Sequence, residues 1–381
     1  MTELKDLRKR IDEIDDSILE LFTERMDIAG EVAQVKMKDG VPVNNPAREK
    51  EIIVNMCGKA PEKYQEYVNL LFNSIFNISK SHQVLSMDRP SSVSSAIEEA
   101  IARTDKTLPK SASVACQGTE GSFSQAAAEK IFRRPEIMYF NSFEGVFNAV
   151  EKRLCRYGVL PIDNSSYGSV TAVYDLMRSC SFHIAKTIRL HVCHNLLAKP
   201  GTKLEDIKEI ISHPQALGQC SDFIKSMPGV KVTPNENTAA AARMISEGDR
   251  TDVAAISSED CMRIYGLEPL KTNVQNNENN YTRFICISKE MEVYPGADKF
   301  SLILSLPHIP SALYNILSRF AALGINITKL ESRPIPGSDF DFMFYFDFDG
   351  SVYSEDILHM LDSLSEECEE FHFLGCFSES C

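Results

Sequence analysis

The sequence predicts a multidomain chain in three parts: an all-α unit, an α/β body and an α+β domain. Three observations carry that prediction. Apolar residues recur in alternating three- and four-residue steps over about 4–38. Strand-like and helical runs then alternate from 114 to about 287. After that the order becomes strand, helix, strand, strand, helix, strand, a different plan from the α/β alternation before it.

In the first part, Leu4, Leu7, Ile11, Ile14, Ile18, Leu21, Ile28, Val32 and Val35 form the heptad seam of a helix that packs on other helices. A rod over 4–38 is about 50 Å long at 1.5 Å per residue and cannot bury such a stripe alone. Gly40 and Pro42 end it. Helical stretches over 46–57 and 61–84 complete a three-helix unit, 1–87, that needs a partner chain. Residues 88–111 read as a linker with one short helix, SAIEEAIART. In 112–290, SVACQG, YGVLPI, IKEIIS, VKVTP, DVAAIS and TRFICIS read as strands, with SQAAAEKIF and NTAAAARMI as helices between them. In 298–377, FSLILSL, ALYNILSRFAALG, INITKLES, FDFMFYFDFDG, SEDILHMLDSL and FHFLGCF follow the ferredoxin-like βαββαβ plan.

Composition excludes several functions. The 381 residues carry 40 Lys+Arg against 54 Asp+Glu, a net charge of −14. Residues 291–381 hold 15 of the acidic residues and only 4 of the basic ones. No segment is strongly basic, so a nucleic-acid partner is not expected. No apolar run reaches about 18 residues, so no membrane span is expected. The opening MTELKDLRKRIDEIDD lacks the apolar core of a signal peptide. Eleven cysteines, an odd number without a CxxC pair, fit free thiols in a reducing cytoplasm.

Chemistry is suggested first by a fault in the seam. Position 25 continues the series 18, 21, 25, 28, yet it holds Arg25. A guanidinium stays charged, and leaving it unpaired in a helix interface costs several kcal/mol, on the order of 3–5. It is either paired with a helix carboxylate or kept for an anionic ligand. Lys36 lies within about 20° of the same helix face and about 16 Å along the axis, so both could lean onto one small dianion. Arg8 is about 25 Å from Arg25 on another face and would reach a partner's pocket, as in an interlocked dimer.

The middle part holds four polar clusters: QGTEGSFS at 117–124, PIDNSSYGSV at 161–170, SHPQAL at 212–217 and NYTRF at 280–284. The first sits between a strand and a helix, where free N–H groups can take a carboxylate. Singly, such clusters usually only punctuate structure. His191-Val192-Cys193-His194 pairs two histidines with a thiol. In a strand-like run those side chains diverge, and no fourth ligand is evident, so no metal is expected. His213 reads as a loop hydrogen-bonder.

Taken in order, these motifs resemble known families. LRKRIDEIDDSILELFTERMDIAGEVAQVK, VPVNNPAREKEII and ISKSHQ resemble the all-helical chorismate mutase domain, a dimerising fold. By that resemblance Arg8, Arg25 and Lys36 would hold the carboxylates and ether oxygen of chorismate, and Asn45 and Glu49 its hydroxyl. Ser79 and Gln83 would close the pocket, with Arg48 beside the turn. Asn45 stands where the family commonly has Asp. The reaction implied is a pericyclic rearrangement to prephenate, which needs no nucleophile, cofactor or metal. Positioning and cations at the ether oxygen suffice, with Lys36 and Gln83 as donors.

The four clusters, with NTAAAA and AAISSEDCMRIYGL, resemble prephenate dehydratase over about 112–288. That resemblance implies two α/β lobes like a periplasmic binding protein, with the site in the cleft. Thr282 would be the catalytic hydroxyl, Arg283 would steady the loop or a carboxylate, and Ser122, Asn164, Ser165 and Gln215 would line the cleft. Asp163 replaces the family's usual Glu, and QGTEGSF is a loop form that arogenate-accepting relatives share. The last part resembles an ACT domain through Glu331-Ser332-Arg333-Pro334 and Ala312-Leu313, with Ser311 where the family has Gly. It implies phenylalanine bound between paired domains near Ala312, Leu313, Asn326, Glu331 and Ser332. Together the three resemblances imply a cytoplasmic bifunctional chorismate mutase/prephenate dehydratase, a homodimer or higher oligomer, inhibited by phenylalanine. The alternatives are a prephenate or arogenate dehydratase with an impaired mutase, a non-catalytic phenylalanine sensor, and a two-lobed solute-binding protein.

Overall fold

A computed structural model describes residues 2–41, 45–86, 92–335 and 342–381. Pro42, which the sequence reading put at the first helix's end, and 87–91, at the domain boundary and linker start, lie outside the described residues. The chain divides into two compact units. One comprises Met1–Ala96, Leu304–Phe344 and Val352–His372; the other comprises Ile97–Ile303, Tyr345–Ser351 and Phe373–Cys381. Among the described residues no helix is long and apolar enough to cross a membrane.

The chain opens with α1 (Thr2–Asp39), α2 (Pro46–Lys59) and α3 (Gln65–Ser86). Asn45 starts α2 by accepting the Arg48 N–H at 3.2 Å, and Pro46 fills the first turn, where its missing N–H costs nothing. α3 packs against both α1 and α2. Met26, Ala29 and Ala33 of α1 are buried. The heptad seam is not: Leu7, Ile11, Ile14 and Ile18 are each more than half exposed in the single chain.

After α4 (Ser92–Arg103) come β1 (Ser111–Gln117), α5 (Phe123–Ile131), β2 (Arg134–Phe140), α6 (Phe143–Glu151), β3 (Tyr157–Asn164), β4 (Gly168–Ser169), α7 (Thr171–Ser179) and β5 (His183–His191). The chain then crosses to a second sheet. It is built from β6 (Asn195–Ala198), β7 (Glu209–Ser212), α8 (Pro214–Gln219), α9 (Ser221–Lys225), β8 (Lys231–Pro234), α10 (Thr238–Glu247), β9 (Val253–Ser257), α11 (Glu259–Tyr265) and β10 (Glu268–Lys271). It returns to the first sheet as β11 (Tyr281–Ser288). The runs read as strands from sequence are strands here; β3, β7, β9 and β11 bury Val, Ile, Leu and Ala on both faces between helices, while β8 is a largely exposed edge strand.

The last elements are β12 (Lys299–Leu306), α12 (Ala312–Ala322), β13 (Asn326–Pro334), β14 (Phe342–Asp349), α13 (Glu355–Glu367), β15 (Phe371–Phe377) and β16 (Glu379–Ser380). Four of them form a sheet in the order β13-β14-β12-β15, the strand order of the ferredoxin-like plan. The strand after that plan is diverted. β16 pairs in parallel with β5, so the first α/β sheet runs β16-β5-β11-β3-β1-β2, with β4 on β3. The second sheet runs β10-β6-β9-β7-β8. Each has its own apolar core, around Val114, Phe132, Tyr157 and Phe284 in one and Leu197, Ile211, Ala241 and Ala255 in the other.

Candidate active site

The chain passes between the two α/β sheets twice, after β5 and before β11, and a cavity of about 280 Å³ lies where these passages meet. Ser122, Asn164 and Thr282 face it from the first sheet, and His194, Gln215, Gln219 and Asn237 from the second side. Two helices begin at its wall. Ser122 caps α5 by accepting the Gln125 N–H, and Asn237 caps α10 by accepting the Ala240 N–H at 2.7 Å. The unsatisfied N–H groups of these first turns favour an anion in the cavity.

The polar centre is a connected chain of hydrogen bonds. Thr282 and Asn164 are direct partners in the β3–β11 register, so their side chains share a face. Asn164 Nδ2 donates to Thr282 Oγ1 and to Asn280 Oδ1, both at 2.9 Å. Asn164 Oδ1 accepts from the Ser166 and Tyr167 backbone N–H groups at 3.0 Å and from Gln219 Nε2 at 3.4 Å. With the Asn164 carbonyl so committed, its NH2 can only point at Thr282. Gln219 Oε1 in turn lies 2.7 Å from His194 Nε2, so that nitrogen carries the proton. Burial holds His194 below its ordinary range and keeps it neutral. Thr282 Oγ1 therefore accepts from Asn164 and keeps its own proton for a group in the cavity.

Gln219, Asn280 and His194 were not among the expected site residues. Gln219 left a signal: a glutamine on the buried face of α8, beside Ala216 and Cys220. His194 left one only as half of the histidine pair. That pair diverges. His191 is exposed, with Nε2 2.7 Å from the Glu278 carbonyl and Nδ1 3.2 Å from Cys193 Sγ, whereas His194 is buried. β5 ends at His191, so the divergence comes from the chain leaving the sheet and not from strand alternation. His213 uses its ring as a cap, its Nδ1 accepting the Gln215 N–H at 3.3 Å, which agrees with its reading as a loop hydrogen-bonder.

Ser165, expected to line the cleft, and Arg283, expected to steady the loop or a carboxylate, both lie away from the cavity. Ser165 is exposed and pins the 279–281 loop, donating to the Asn279 carbonyl at 2.8 Å and accepting the Tyr281 N–H at 2.9 Å. Arg283 follows Thr282 on a strand, so its side chain takes the opposite face, where it pairs with Asp347 and with Glu379 at 2.8 Å. Neither lines the cavity. At the cavity's edge the Tyr167 hydroxyl, from the β3–β4 turn, packs where a side chain at Gly218 of α8 would lie.

In the helical unit, Arg25 is half-buried, with its guanidinium 5.7 Å from the Phe76 ring centre, and Nη1 is buried without a hydrogen-bond partner. Among the described residues no helix carboxylate clasps it, and burial lowers its pKa. Lys36 is also half-buried. Ser79 and Gln83 are buried on α3, with Gln83 Nε2 3.4 Å from Ser79 Oγ and Gln83 Oε1 unpartnered. Glu49 lies 3.3 Å from Lys80 Nζ. Asn45 spends its side-chain oxygen on the α2 cap, and Arg48 pairs with Glu51 on the surface at 2.8 Å. Arg8 is exposed, beside the bare part of the seam.

In the C-terminal sheet, Ala312 and Leu313 are half-buried at the start of α12, and Asn326, Glu331 and Ser332 lie along the edge strand β13. Glu331 sits 3.5 Å from Lys329. Ser311 precedes α12 at φ +69°, the left-handed region.

Comparison with known proteins finds two families along the chain. The family model of prephenate dehydratase matches residues 114–292, and that of chorismate mutase type II matches 7–84. The bifunctional chorismate mutase/prephenate dehydratase of Aquifex aeolicus is 31% identical over all of this chain and 99% of its own length. Arogenate dehydratase/prephenate dehydratase 1 of Arabidopsis thaliana is 38% identical over 69% of this chain and 71% of its own. Among solved structures, the prephenate dehydratase of Arthrobacter aurescens in complex with L-Phe superimposes with a TM-score of 0.64 at 29% identity, covering 70% of this chain and 89% of the other.

Proposed function

From its membership of the bifunctional chorismate mutase/prephenate dehydratase family, which gives the chain both activities in phenylalanine biosynthesis, we propose how its residues divide the work. In the dehydratase cleft Thr282 is the hydrogen-bond donor to the departing hydroxyl of prephenate. The observation that carries this is the Asn164–Thr282 pair: Asn164 fills the acceptor side of Thr282 Oγ1 and leaves its O–H free to donate. The first turns of α5 and α10 hold the substrate's carboxylates. Loss of CO2 and water then aromatises the ring, with no metal or nucleophile required of the protein. Thr282→Ala in the full chain tests the assignment. Its dehydratase kcat is expected to fall about 100-fold, with the mutase rate unchanged. A near-native dehydratase rate would sink it. Arogenate run beside prephenate in the same assay sets the substrate preference.

In the helical unit Arg25, Lys36 and Gln83 hold chorismate, Arg25 Nη1 and Gln83 Oε1 being the unpartnered buried atoms that a ligand would satisfy. Arg8 reaches the pocket of a second copy, in a homodimer joined along the bare α1 seam. The C-terminal βαββαβ sheet is an ACT module that binds phenylalanine, as the ligand of the Arthrobacter relative supports. Eleven free thiols support a cytoplasmic setting.

A further inference from the structure

The pairing of β5 with β11 sets Arg283 directly opposite Arg189. Directly opposed residues of an antiparallel pair share a face, where like charges repel. One carboxylate lies between them. Glu379, on β16 beside β5, places Oε1 2.8 Å from Arg283 Nε and Oε2 2.7 Å from Arg189 Nε. Glu379 is 9% exposed and Arg283 12%, so solvent screens their contact little, whereas Arg189 is 55% exposed and its charge is screened more. Beyond Arg283 the alternation of charge continues to Asp347, which is buried.

This cluster sits beside a fault in the ladder that pairs the catalytic strand, where the register with β11 skips Ile162 of β3. Thr282 faces Asn164 and Arg283 faces Asp163, but Phe284 faces Pro161, so the β3–β11 ladder carries a bulge just after Arg283. A bulge leaves one residue out of the ladder and re-aims its neighbours. Just before it, β11 is held on the cleft face by Thr282 and on the other face by Arg283. The second anchor depends on a residue nearly one hundred positions away in sequence.

We propose that Glu379 is a positioning residue of the dehydratase: by neutralising the Arg189–Arg283 pair behind the bulge, it holds Thr282 Oγ1 in register with Asn164. The proposal rests on the reading of Thr282 as the donor to the leaving group, and extends it to residues that never touch substrate.

The test compares the full chain with Glu379→Gln and Glu379→Gln/Arg189→Gln, measuring prephenate turnover and, on the same samples, mutase turnover. The single variant keeps the shape but leaves Arg189 and Arg283 opposed, with Asp347 as the carboxylate still paired on the Arg283 side. Its dehydratase kcat is expected to fall about fivefold to tenfold, with KM changed less than about twofold and the mutase rate native. Removing the second cation should bring the double variant back to within about twofold of native kcat. A native kcat in the single variant, or a double variant no faster than the single one, overturns the proposal. So does a KM effect larger than the kcat effect, which marks general loosening of the cleft. If the single variant does not accumulate as folded protein, a native-like double variant supports the proposal and a failed one overturns it. Failure of the Thr282 reading is separate, because it shows as a retained rate in Thr282→Ala whatever Glu379→Gln does.

Discussion

Ser311 holds a backbone conformation that glycine adopts freely and other L-residues adopt at a cost of about 1 kcal/mol. A glycine would suit this geometry, and this chain holds it with a serine. Ser311→Gly should stabilise the protein by about 1 kcal/mol, read as a higher melting temperature. His194 gives a pH dependence of known sign. Its pKa is lowered from the ordinary 6.5 by burial, so the unfolded chain takes up a proton that the folded one refuses. Stability is complete above about pH 6.5 and falls as pH drops toward the folded value. Melting curves from pH 7 to 5 should show a shallower slope in His194→Gln. At this scale the sequence was legible where a residue broke a pattern, as Arg25 breaks its seam. It was illegible where a role depends on which way a side chain turns. Arg283 and Thr282 are neighbours, and only the sheet decides that one faces the cleft and the other two carboxylates.

At the scale of elements, the strands and helices were legible because the buried α/β runs are apolar without interruption and their ends carry caps such as Ser122 and Asn237. Pairing between strands was not. Glu209 of β7 illustrates the difference: it receives Thr233 Oγ1 at 2.5 Å and Lys231 Nζ at 3.0 Å from β8, and Arg250 Nη1 at 2.5 Å from the approach to β9. Those three donors hold its pKa at about 2, below the usual 4.5. The sign follows: the clip contributes fully above about pH 4.5 and is lost as pH falls through about 2. Glu209→Gln should therefore remove an acid-labile component from unfolding between these values. Far-UV circular dichroism can follow it, since the chain has no Trp. A variant with an unchanged acid transition would show that the clip does not bear on stability.

At the scale of the whole molecule, three parts were expected from the change in periodicity, and the structure divides into two units whose boundary runs within β12 and β14. The order of elements is written in local pattern; which helix packs on which is not. α3, for example, meets α12 and α13 across more than two hundred residues of chain. What one copy leaves bare is equally informative. Leu7, Ile11, Ile14 and Ile18 present a continuous apolar stripe, and such stripes mark association. Ile11→Asp/Ile18→Asp is expected to sediment as a monomer and lose more than about tenfold in mutase rate while prephenate turnover persists. A native protein that sediments as a monomer at full mutase rate would remove the dimer from the account.

The meeting of Tyr167 with Gly218 has a further consequence. A phenol resting on a missing side chain is a door shut on a bare frame, and one methyl there is a doorstop. Gly218→Ala should turn the exposed Tyr167 ring off α8, read as a higher KM for prephenate. The same wedge should give way when Tyr167→Phe trims the oxygen that it strikes.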